Sequence, residues 1–412
     1  MPKPCHPGKA RAGRLFASLR NDNYRWLWLG SMATFVGLRM QDVALGWLVL
    51  ELTDSPFYLG LVDFVRFLPL LFFPPLGGVL ADRGDRRKLL LISVIAVTAI
   101  TAVLATFVRL GHIRAWQILI MVFLLGSVFS MYFTIRQSII PNLVDKADLL
   151  NALSLDFAGA GVMRILGPSL AGVLISLVGA AYCFYLQAVG YLLALFMFLR
   201  FGLQFGGSIA GGTNVWQNFR QQWLYIRQNR TVFDLLMLSA VLIPFGMSYK
   251  VLMPVFARDV LAVGPSGLGM LMGASGAGAI VATLGLATVR DFRHRGLMVL
   301  LGALSFGIVL ILLSLSRQFL PSLFLLGVGE GMGAMYQTTC RVLIQAMAPD
   351  ELRGRITGMY LLVWGLLPFG SLWMGAIADL LGAPLAISFG GAVCALFSIG
   401  WSVLRPDLRR LN

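Results

Sequence analysis

The sequence predicts an all-α polytopic membrane protein with twelve transmembrane helices. The chain of 412 residues is 58% hydrophobic and only 12% charged, and its mean hydropathy is +0.82. Apolar stretches of about 20 residues, the length that a helix needs to cross a bilayer, recur along almost the whole chain. A soluble protein needs more polar surface and a disordered chain has low hydrophobicity, so both classes are excluded.

Charged and turn-forming residues divide the apolar stretches into twelve spans. In chain order, spans 1 to 12 are predicted at residues 24–50, 57–81, 89–110, 115–138, 149–178, 180–203, 231–257, 265–289, 296–316, 318–344, 355–381 and 383–405. The loops at Gly179 and Pro384 are so short that the flanking helices must form hairpins. The longest gap, 204–230, is Gly-rich and then polar, and is interpreted as a linker. Its helical pattern fits either an interfacial helix or an ordinary linker helix.

The distribution of Lys and Arg predicts the orientation of the spans, because these residues favour cytoplasmic loops. With the N-terminus in the cytoplasm, 25 of them fall on the cytoplasmic side and 4 on the opposite side. Both termini are then cytoplasmic, because an even number of spans returns the chain to its starting side. The formal net charge of +15 belongs to the cytoplasmic face and does not indicate a nucleic-acid partner.

The two halves of the chain repeat. Arg136 and Arg341 begin similar segments at the ends of spans 4 and 10, at an offset of 205 residues. Six spans repeated in the same orientation form a parallel repeat. The predicted organisation is a cytoplasmic tail at 1–23, a six-helix bundle at 24–203, the linker at 204–230, a second six-helix bundle at 231–405 and a tail at 406–412.

The loop after span 2 reads Gly78-Val-Leu-Ala-Asp82-Arg83-Gly-Asp-Arg86-Arg87-Lys88. It resembles the loop 2–3 signature of the major facilitator superfamily, although an Asp stands where the family has its second Gly. The resemblance implies the major facilitator fold. It also implies a cytoplasmic latch that ties the first half to span 11 in the outward-open state, formed by Gly78, Asp82, Arg83, Arg86 and Arg87. The alternative is a loop that only sets the orientation.

Span 5 contains Arg164-Ile-Leu-Gly167-Pro168-Ser-Leu-Ala-Gly172. This segment is similar to the Gly-Pro signature of proton-coupled antiporters, with Met163 and Ala171 at positions where that signature has Gly. The resemblance implies a helix kink at Gly167, Pro168 and Gly172. The runs 41–53 and 349–355 are similar to the branch that holds enterobactin-type siderophore exporters and macrolide efflux proteins.

Eight ionisable residues fall inside the predicted spans: Arg39, Asp42, Asp63, Arg66, Asp156, Arg164, Lys250 and Glu330. A lone charge at mid-bilayer costs about 2.5–3.5 kcal/mol, so these residues must be paired, neutral or hydrated in a cavity. Six of them are candidates for binding a proton or the substrate, namely Asp42, Glu330, Arg164, Arg39, Asp63 and Arg66. Arg39 with Asp42, and Asp63 with Arg66, are three residues apart and share a helical face.

Asp42 in span 1 and Lys250 in span 7 lie at similar depth, because the repeat offset brings position 42 within three residues of position 250. The first hypothesis is an extracellular gate in which Asp42 and Lys250 meet when the outer side closes. The alternative is that Asp42 pairs only with Arg39 while Lys250 extends outward to the membrane surface.

Glu330 lies in the middle of span 10, among glycines that allow close approach of other groups. The second hypothesis is that Glu330 carries a proton or binds a cationic group of the substrate. The alternative is a structural ion pair with Arg341 or Arg164. Arg164 is predicted to bind an anionic substrate or to neutralise a nearby acid. Asp156 is predicted to pair with Arg136 at the end of span 4.

The sequence therefore predicts a bacterial inner (plasma) membrane exporter that works by alternating access and proton antiport. Its expected partners are an amphiphilic small molecule of drug, macrolide or siderophore type, protons and the lipid bilayer, and it is expected to be a monomer. Import of a nutrient, lysophospholipid flipping and a transporter-like sensor without flux remain alternatives. An enzyme is not expected, because P-loop and Gly-x-Ser-x-Gly motifs are absent. Neither a cofactor nor a metal is expected, because Cys and His lack metal-ligand spacing.

Overall fold

The computed structural model describes residues 17–73, 84–145, 147–200, 227, 229–288, 294–347, 360, 362–409 and 411. Within these residues, 12 helices are long and apolar enough to cross a membrane, which confirms the predicted number. Spans 1 to 12 are Asp22–Thr53, Pro56–Phe73, Arg86–Arg109, Ala115–Leu143, Leu149–Val178, Ala180–Leu199, Arg230–Val260, Gly264–Leu286, Arg295–Leu315, Phe319–Met347, Leu362–Leu381 and Ala383–Leu404. Most of the predicted linker, with its possible interfacial helix, lies outside the described residues.

Local signals explain where several spans begin and end. The Asn21 side chain caps span 1 by accepting hydrogen bonds from the backbone N–H groups of Asn23 and Tyr24. Spans 5 and 11 end at Gly179 and Gly382, each with φ of +89°. This left-handed backbone conformation favours glycine. Both glycines make the tight hairpins that the sequence predicts, and they occupy equivalent places in the two halves.

Span 7 is not a continuous α-helix. Its α-helix Arg230–Gly246 gives way to the 3₁₀ segment Met247–Leu252. A single α-helical turn and a short π-helix then complete the span. Pro244 and Pro254 flank the change, and proline cannot donate the backbone hydrogen bond of a regular helix. As a result, Lys250 lies on an irregular turn in the middle of the membrane-spanning segment.

Helix packing repeats between the halves, as expected for two parallel six-helix units. In the first half, span 1 packs against spans 5 and 6, span 2 against span 4 and span 3 against span 6. The equivalent pairs in the second half are span 7 with spans 11 and 12, span 8 with span 10 and span 9 with span 12. The main contacts between the halves are span 2 with span 11 and span 5 with span 8, which are themselves symmetry-related.

Glycines bring the two halves together near one face of the molecule. We call the face where span 1 ends and span 2 begins the far side, and the face where span 1 begins the near side. Gly172 of span 5 meets Gly269 of span 8, where a Cβ atom added at Gly172 would lie 2.8 Å from the Gly269 Cα atom. Gly60 of span 2 meets Gly375 of span 11, with 3.2 Å for the equivalent distance. Such close backbone contacts exclude larger side chains and seal the far half of the interface.

Polar contacts complete the closure at the far side. Arg258 at the end of span 7 forms an ion pair with Asp54 just after span 1. The Ser55 hydroxyl donates a hydrogen bond of 2.7 Å to the carboxylate of Asp379 at the end of span 11. Both contacts join the two halves, so the space between the halves is closed towards the far side.

Candidate functional site

A cavity of about 380 Å³ lies between the two halves, below the far-side closure. Spans 1, 2 and 5 line it from the first half, and spans 7, 8, 10 and 11 line it from the second. Seven of the eight ionisable residues predicted inside spans line this cavity: Arg39, Asp42, Asp63, Arg66, Arg164, Lys250 and Glu330. The rest of the wall is mainly apolar, with residues such as Val43, Leu59 and Met272. A largely apolar cavity with few, grouped polar side chains is typical of a small-molecule site.

Asp42 links spans 1 and 2 through two arginines. Its carboxylate lies 3.1 Å from Arg39 on the same helix and 2.8 Å from Arg66 of span 2. The helical spacing of Arg39 and Asp42 predicted their contact. The alternative to the gate had Asp42 paired with Arg39 alone, and the structure adds Arg66 as a second partner. Arg66 is nearly buried, so the shared carboxylate compensates a charge that water reaches poorly.

Asp63 differs from the other acids of the cavity, because it forms no ion pair with any described residue. Its carboxylate accepts a hydrogen bond from the Ser371 hydroxyl of span 11. The sequence suggested that Asp63 and Arg66 share a helical face, but Arg66 turns to Asp42 instead. Because Ser371 belongs to the other half, the Asp63 contact crosses the interface between the halves.

Glu330 is the centre of a second charged cluster. One carboxylate oxygen lies 2.8 Å from the Lys250 ammonium and accepts a hydrogen bond of 2.9 Å from the Tyr249 hydroxyl. The other oxygen lies 3.4 Å from the Arg164 guanidinium of span 5. The Glu330 side chain is only 3% exposed. An ion pair of Glu330 with Arg341 or Arg164 was the predicted alternative to a proton or substrate site. The contact with Arg164 is present, and it joins the two halves.

The glycines beside Glu330 explain how a carboxylate can lie so deep. Gly331 faces span 8, where an added Cβ atom would lie 3.2 Å from the Gly278 carbonyl oxygen. Gly333 faces span 9, where the same test gives 3.3 Å to the Phe306 ring. Neighbouring helices therefore approach span 10 closely and cover Glu330.

The predicted gate pair is not formed, although the far side is closed. Asp42 contacts Arg39 and Arg66, whereas Lys250 turns towards Glu330 in its own half. Positions 42 and 250 both line the cavity. Depth does not determine which neighbouring helix supplies the counter-ion, and span 10 supplies it to Lys250. Arg258 and Asp54, which the sequence did not single out, join spans 7 and 1 at the far side instead.

Asp156 lies outside the cavity and pairs with Arg136, as the sequence suggested. Arg136 also donates a hydrogen bond of 2.6 Å to the Ser31 hydroxyl. Its guanidinium lies 4.9 Å from the centre of the Phe35 ring. Both charged side chains are almost completely buried. This cluster joins spans 1, 4 and 5 within the first half and has the geometry of a structural ion pair.

Only part of the predicted latch lies in the described residues. Arg86 donates a hydrogen bond of 3.1 Å to the Ser138 carbonyl oxygen, and Arg87 donates one of 2.7 Å to the Leu199 carbonyl oxygen. These contacts hold the start of span 3 to spans 4 and 6. Gly78, Asp82 and Arg83 lie outside the described residues, so the latch to span 11 stays a prediction.

The glycine–proline segment of span 5 has a visible packing role. The helix is continuous from Leu149 to Val178 and includes Pro168, so the proposed kink stays a prediction. A side chain at Gly167 would collide with Arg39 of span 1. Gly172 likewise allows span 8 to approach span 5 closely. The segment thus brings Arg39 and Arg164 to one part of the cavity wall.

Comparisons with known proteins agree with this architecture. A family model described as transmembrane secretion effector matches residues 14–412. The staphyloferrin A transporter of Staphylococcus aureus is 26% identical over 369 residues, which cover 89% of this chain and 92% of that protein. Macrolide efflux protein A of Streptococcus pyogenes is 21% identical over 394 residues, covering 94% and 96%. The multidrug efflux pump Tap of Mycobacterium bovis is 26% identical over 423 residues, covering 96% of each.

Solved structures show the same fold at low sequence identity. A bacterial homologue of the human lysosomal transporter Spinster, inward-facing and occupied, has a TM-score of 0.74 and 13% identity, with 99% of this chain and 100% of that chain covered. A POT family transporter in complex with a thioalcohol-conjugated peptide has a TM-score of 0.76 and 10% identity, covering 93% and 96%. The chain therefore belongs to the transmembrane secretion effector family of the major facilitator superfamily, and it is a multi-pass membrane protein and a secondary transporter rather than an enzyme.

Proposed function

We propose that this transporter exports an amphiphilic small molecule by alternating access. The observation that carries the proposal is the cavity between the halves, which combines apolar walls with charged side chains from both halves. A substrate held there contacts both moving units, which is what alternating access around a central site requires. The far-side closure gives one of the two states that such a cycle needs. The efflux names of the relatives support export as the direction.

The orientation follows from the charged loops. We place both termini in the cytoplasm of a bacterium and the protein in its inner membrane, because basic residues concentrate at the near side. The cavity is then closed towards the outside in the state described. The residues that line the cavity all belong to one chain, and we therefore propose that a monomer is sufficient for transport.

We assign the coupling ion as the proton and Asp63 as its binding site. The carboxylates of Asp42 and Glu330 are each shared by two cations, whereas Asp63 has only the Ser371 hydrogen bond among its described contacts. A proton on Asp63 changes its hydrogen bond across the span 2–span 11 interface. Proton binding thereby acts on the contact between the halves, as antiport requires. We assign Glu330, the other acid considered as a proton carrier, to compensating the charges of Lys250 and Arg164 instead.

Everted membrane vesicles test export and antiport together. Respiration acidifies the vesicle lumen and quenches a pH-sensitive dye, and addition of a transported substrate should release protons and restore fluorescence. We expect this response for at least one member of a panel of macrolides and siderophores, together with accumulation of that compound in the lumen. Vesicles lacking the protein provide the background. Accumulation in right-side-out vesicles instead would identify an importer and refute the proposal.

Asp63→Asn tests the proton site. The substitution keeps a side chain that can accept the Ser371 hydrogen bond but removes the group that binds the proton. We expect substrate-driven proton release to fall to the background of empty vesicles, while substrate binding to the purified protein changes less than about threefold.

The control for this variant is Asp22→Asn. Asp22 is an exposed acid at the start of span 1, where it pairs with Arg25 outside the cavity. This variant should release protons like the original protein. Undiminished proton release by Asp63→Asn would move the proton site to another residue.

A further inference from the structure

The cavity holds more positive than negative charge. Four cations line it, Arg39, Arg66, Arg164 and Lys250. The carboxylates of Asp42 and Glu330 each serve two of these cations. The third acid, Asp63, contacts Ser371 and no cation among the described ion pairs. Each cluster of three charges therefore carries a surplus of one positive charge, and with Asp63 included the cavity as a whole has a formal surplus of one.

Exposure shows which charges face the empty space. The side chains of Arg39, Arg164 and Lys250 are 41%, 39% and 30% exposed. The carboxylates are more covered, with Asp42 at 21% and Glu330 at 3%. All five side chains line the cavity, and the three cations are the more exposed of them. The part of the wall formed by Arg39, Arg164 and Lys250 would repel a cationic group.

Packing brings the exposed cations together. A side chain at Gly167 would collide with Arg39, so spans 1 and 5 touch within one helical turn of Arg164. Arg164 and Lys250 both contact the Glu330 carboxylate, at 3.4 Å and 2.8 Å. Two guanidinium groups and one ammonium therefore converge from three spans. Guanidinium groups bind carboxylate and phosphate oxygens with two parallel hydrogen bonds.

On the basis of the proposed export function, we propose that the substrate carries an oxyanion, either a carboxylate or a phosphate. This group binds between Arg39, Arg164 and Lys250. The surplus positive charge inside the membrane-spanning region is costly while the cavity is empty. An oxyanion compensates it, and the apolar wall formed by residues such as Val43, Leu59 and Met272 receives the apolar body of the substrate. The substrate is thus an anionic amphiphile, not a cationic drug.

Three probes on one ring system test the proposal: naphthoate, naphthyl phosphate and naphthylmethylammonium. Binding is measured by equilibrium dialysis with the full-length protein in nanodiscs of neutral lipid. We expect at least one anion to bind at least tenfold more tightly than the cation. Tighter binding of naphthoate identifies a carboxylate substrate, and tighter binding of naphthyl phosphate identifies a phosphate such as a lysophospholipid headgroup. Equal binding of all three probes, tighter binding of the cation, or no binding of either anion would overturn the proposal.

Variants connect the preference to the assigned residues. Arg164→Gln and Lys250→Gln should each weaken binding of the preferred anion by about tenfold or more, because each removes a charge-assisted contact. Arg164→Lys keeps the charge and should retain part of the affinity. Arg317→Gln is the matched control, because Arg317 is an exposed cation between spans 9 and 10. Equal losses in Arg317→Gln and Arg164→Gln would overturn the assignment.

The vesicle experiment separates this inference from the proposed function. Anion binding that depends on Arg164, without substrate-driven proton release for any panel compound, supports the oxyanion site and refutes proton-coupled export. Proton-coupled export of a cationic compound, with no anion preference in the dialysis, refutes the oxyanion site and leaves export intact.

Discussion

Glu330→Gln is expected to abolish transport and to destabilise the protein. The Glu330 carboxylate compensates Lys250 and Arg164 at once, so the neutral amide leaves two neighbouring cations in the cavity wall. Removing one member of a fully buried ion pair costs about 3–5 kcal/mol. We expect about 2–3 kcal/mol here, because Arg164 and Lys250 are partly hydrated in the cavity. Thermal unfolding of the purified protein and vesicle transport measure the two effects.

Two variants show whether the loss comes from unbalanced charge. Glu51→Gln changes an exposed acid at the far end of span 1, and should leave stability and transport close to the original values. Glu330→Gln combined with Lys250→Met removes one cation together with the carboxylate. The double variant should regain much of the lost stability but not transport. A stable and active Glu330→Gln protein would show that the cluster is dispensable.

Asp156→Asn is expected to cause the largest loss of stability, although Asp156 lies outside the cavity. The side chains of Arg136 and Asp156 are 1% and 6% exposed. The Asn amide oxygen can still accept a hydrogen bond, but the buried Arg136 charge then has no counter-ion and is left with neutral partners, among them the Ser31 hydroxyl and the Phe35 ring. We expect a cost of about 3–5 kcal/mol. Thermal unfolding in detergent and the yield of folded protein in the membrane measure it.

Two further variants show whether the loss in Asp156→Asn comes from the uncompensated, buried charge of Arg136. Asp22→Asn breaks the exposed pair with Arg25 and should cost less than about 1 kcal/mol. Asp156→Asn combined with Arg136→Met removes both charges, and should restore most of the stability because apolar replacement of a buried pair is often tolerated. If Asp156→Asn unfolds at the same temperature as Asp22→Asn, the buried pair contributes little.

Much of the fold could be predicted from the sequence because its signals are local. A stretch of apolar residues must become a helix in a bilayer, since no other structure within one segment satisfies its backbone hydrogen bonds. The number of spans follows from this rule, and the hairpins at Gly179 and Pro384 follow from the shortness of the loops between spans. The irregular turn at Lys250 did not follow from it. Pro244 and Pro254 were visible in the sequence, but hydropathy indicates the length of a span and not whether its helix is regular.

Which charged residues belong to the candidate site could be predicted from the sequence, but most of the contacts among them could not. Charges inside apolar spans must face protein or water, so their convergence on a cavity was a sound expectation. Neighbours on one helix, such as Arg39 and Asp42, could be paired by spacing. Tyr249 and Ser371 were missed as partners because uncharged polar residues are common in spans. Only the adjacency of Tyr249 to Lys250 pointed to its role.

By itself, the sequence determined the twelve spans, the repeat of six and the presence of seven charges now found around one cavity. It did so because burial cost depends on residue type and position along one helix. Only the tertiary structure decided that Lys250 faces Glu330 rather than Asp42, and that Asp63 reaches across to Ser371. Ion pairing depends on distances of a few ångströms between helices. Close glycine contacts, such as Gly60 with Ser371 and Gly333 with Met247, hold the relevant helices at those distances and join residues far apart in the chain.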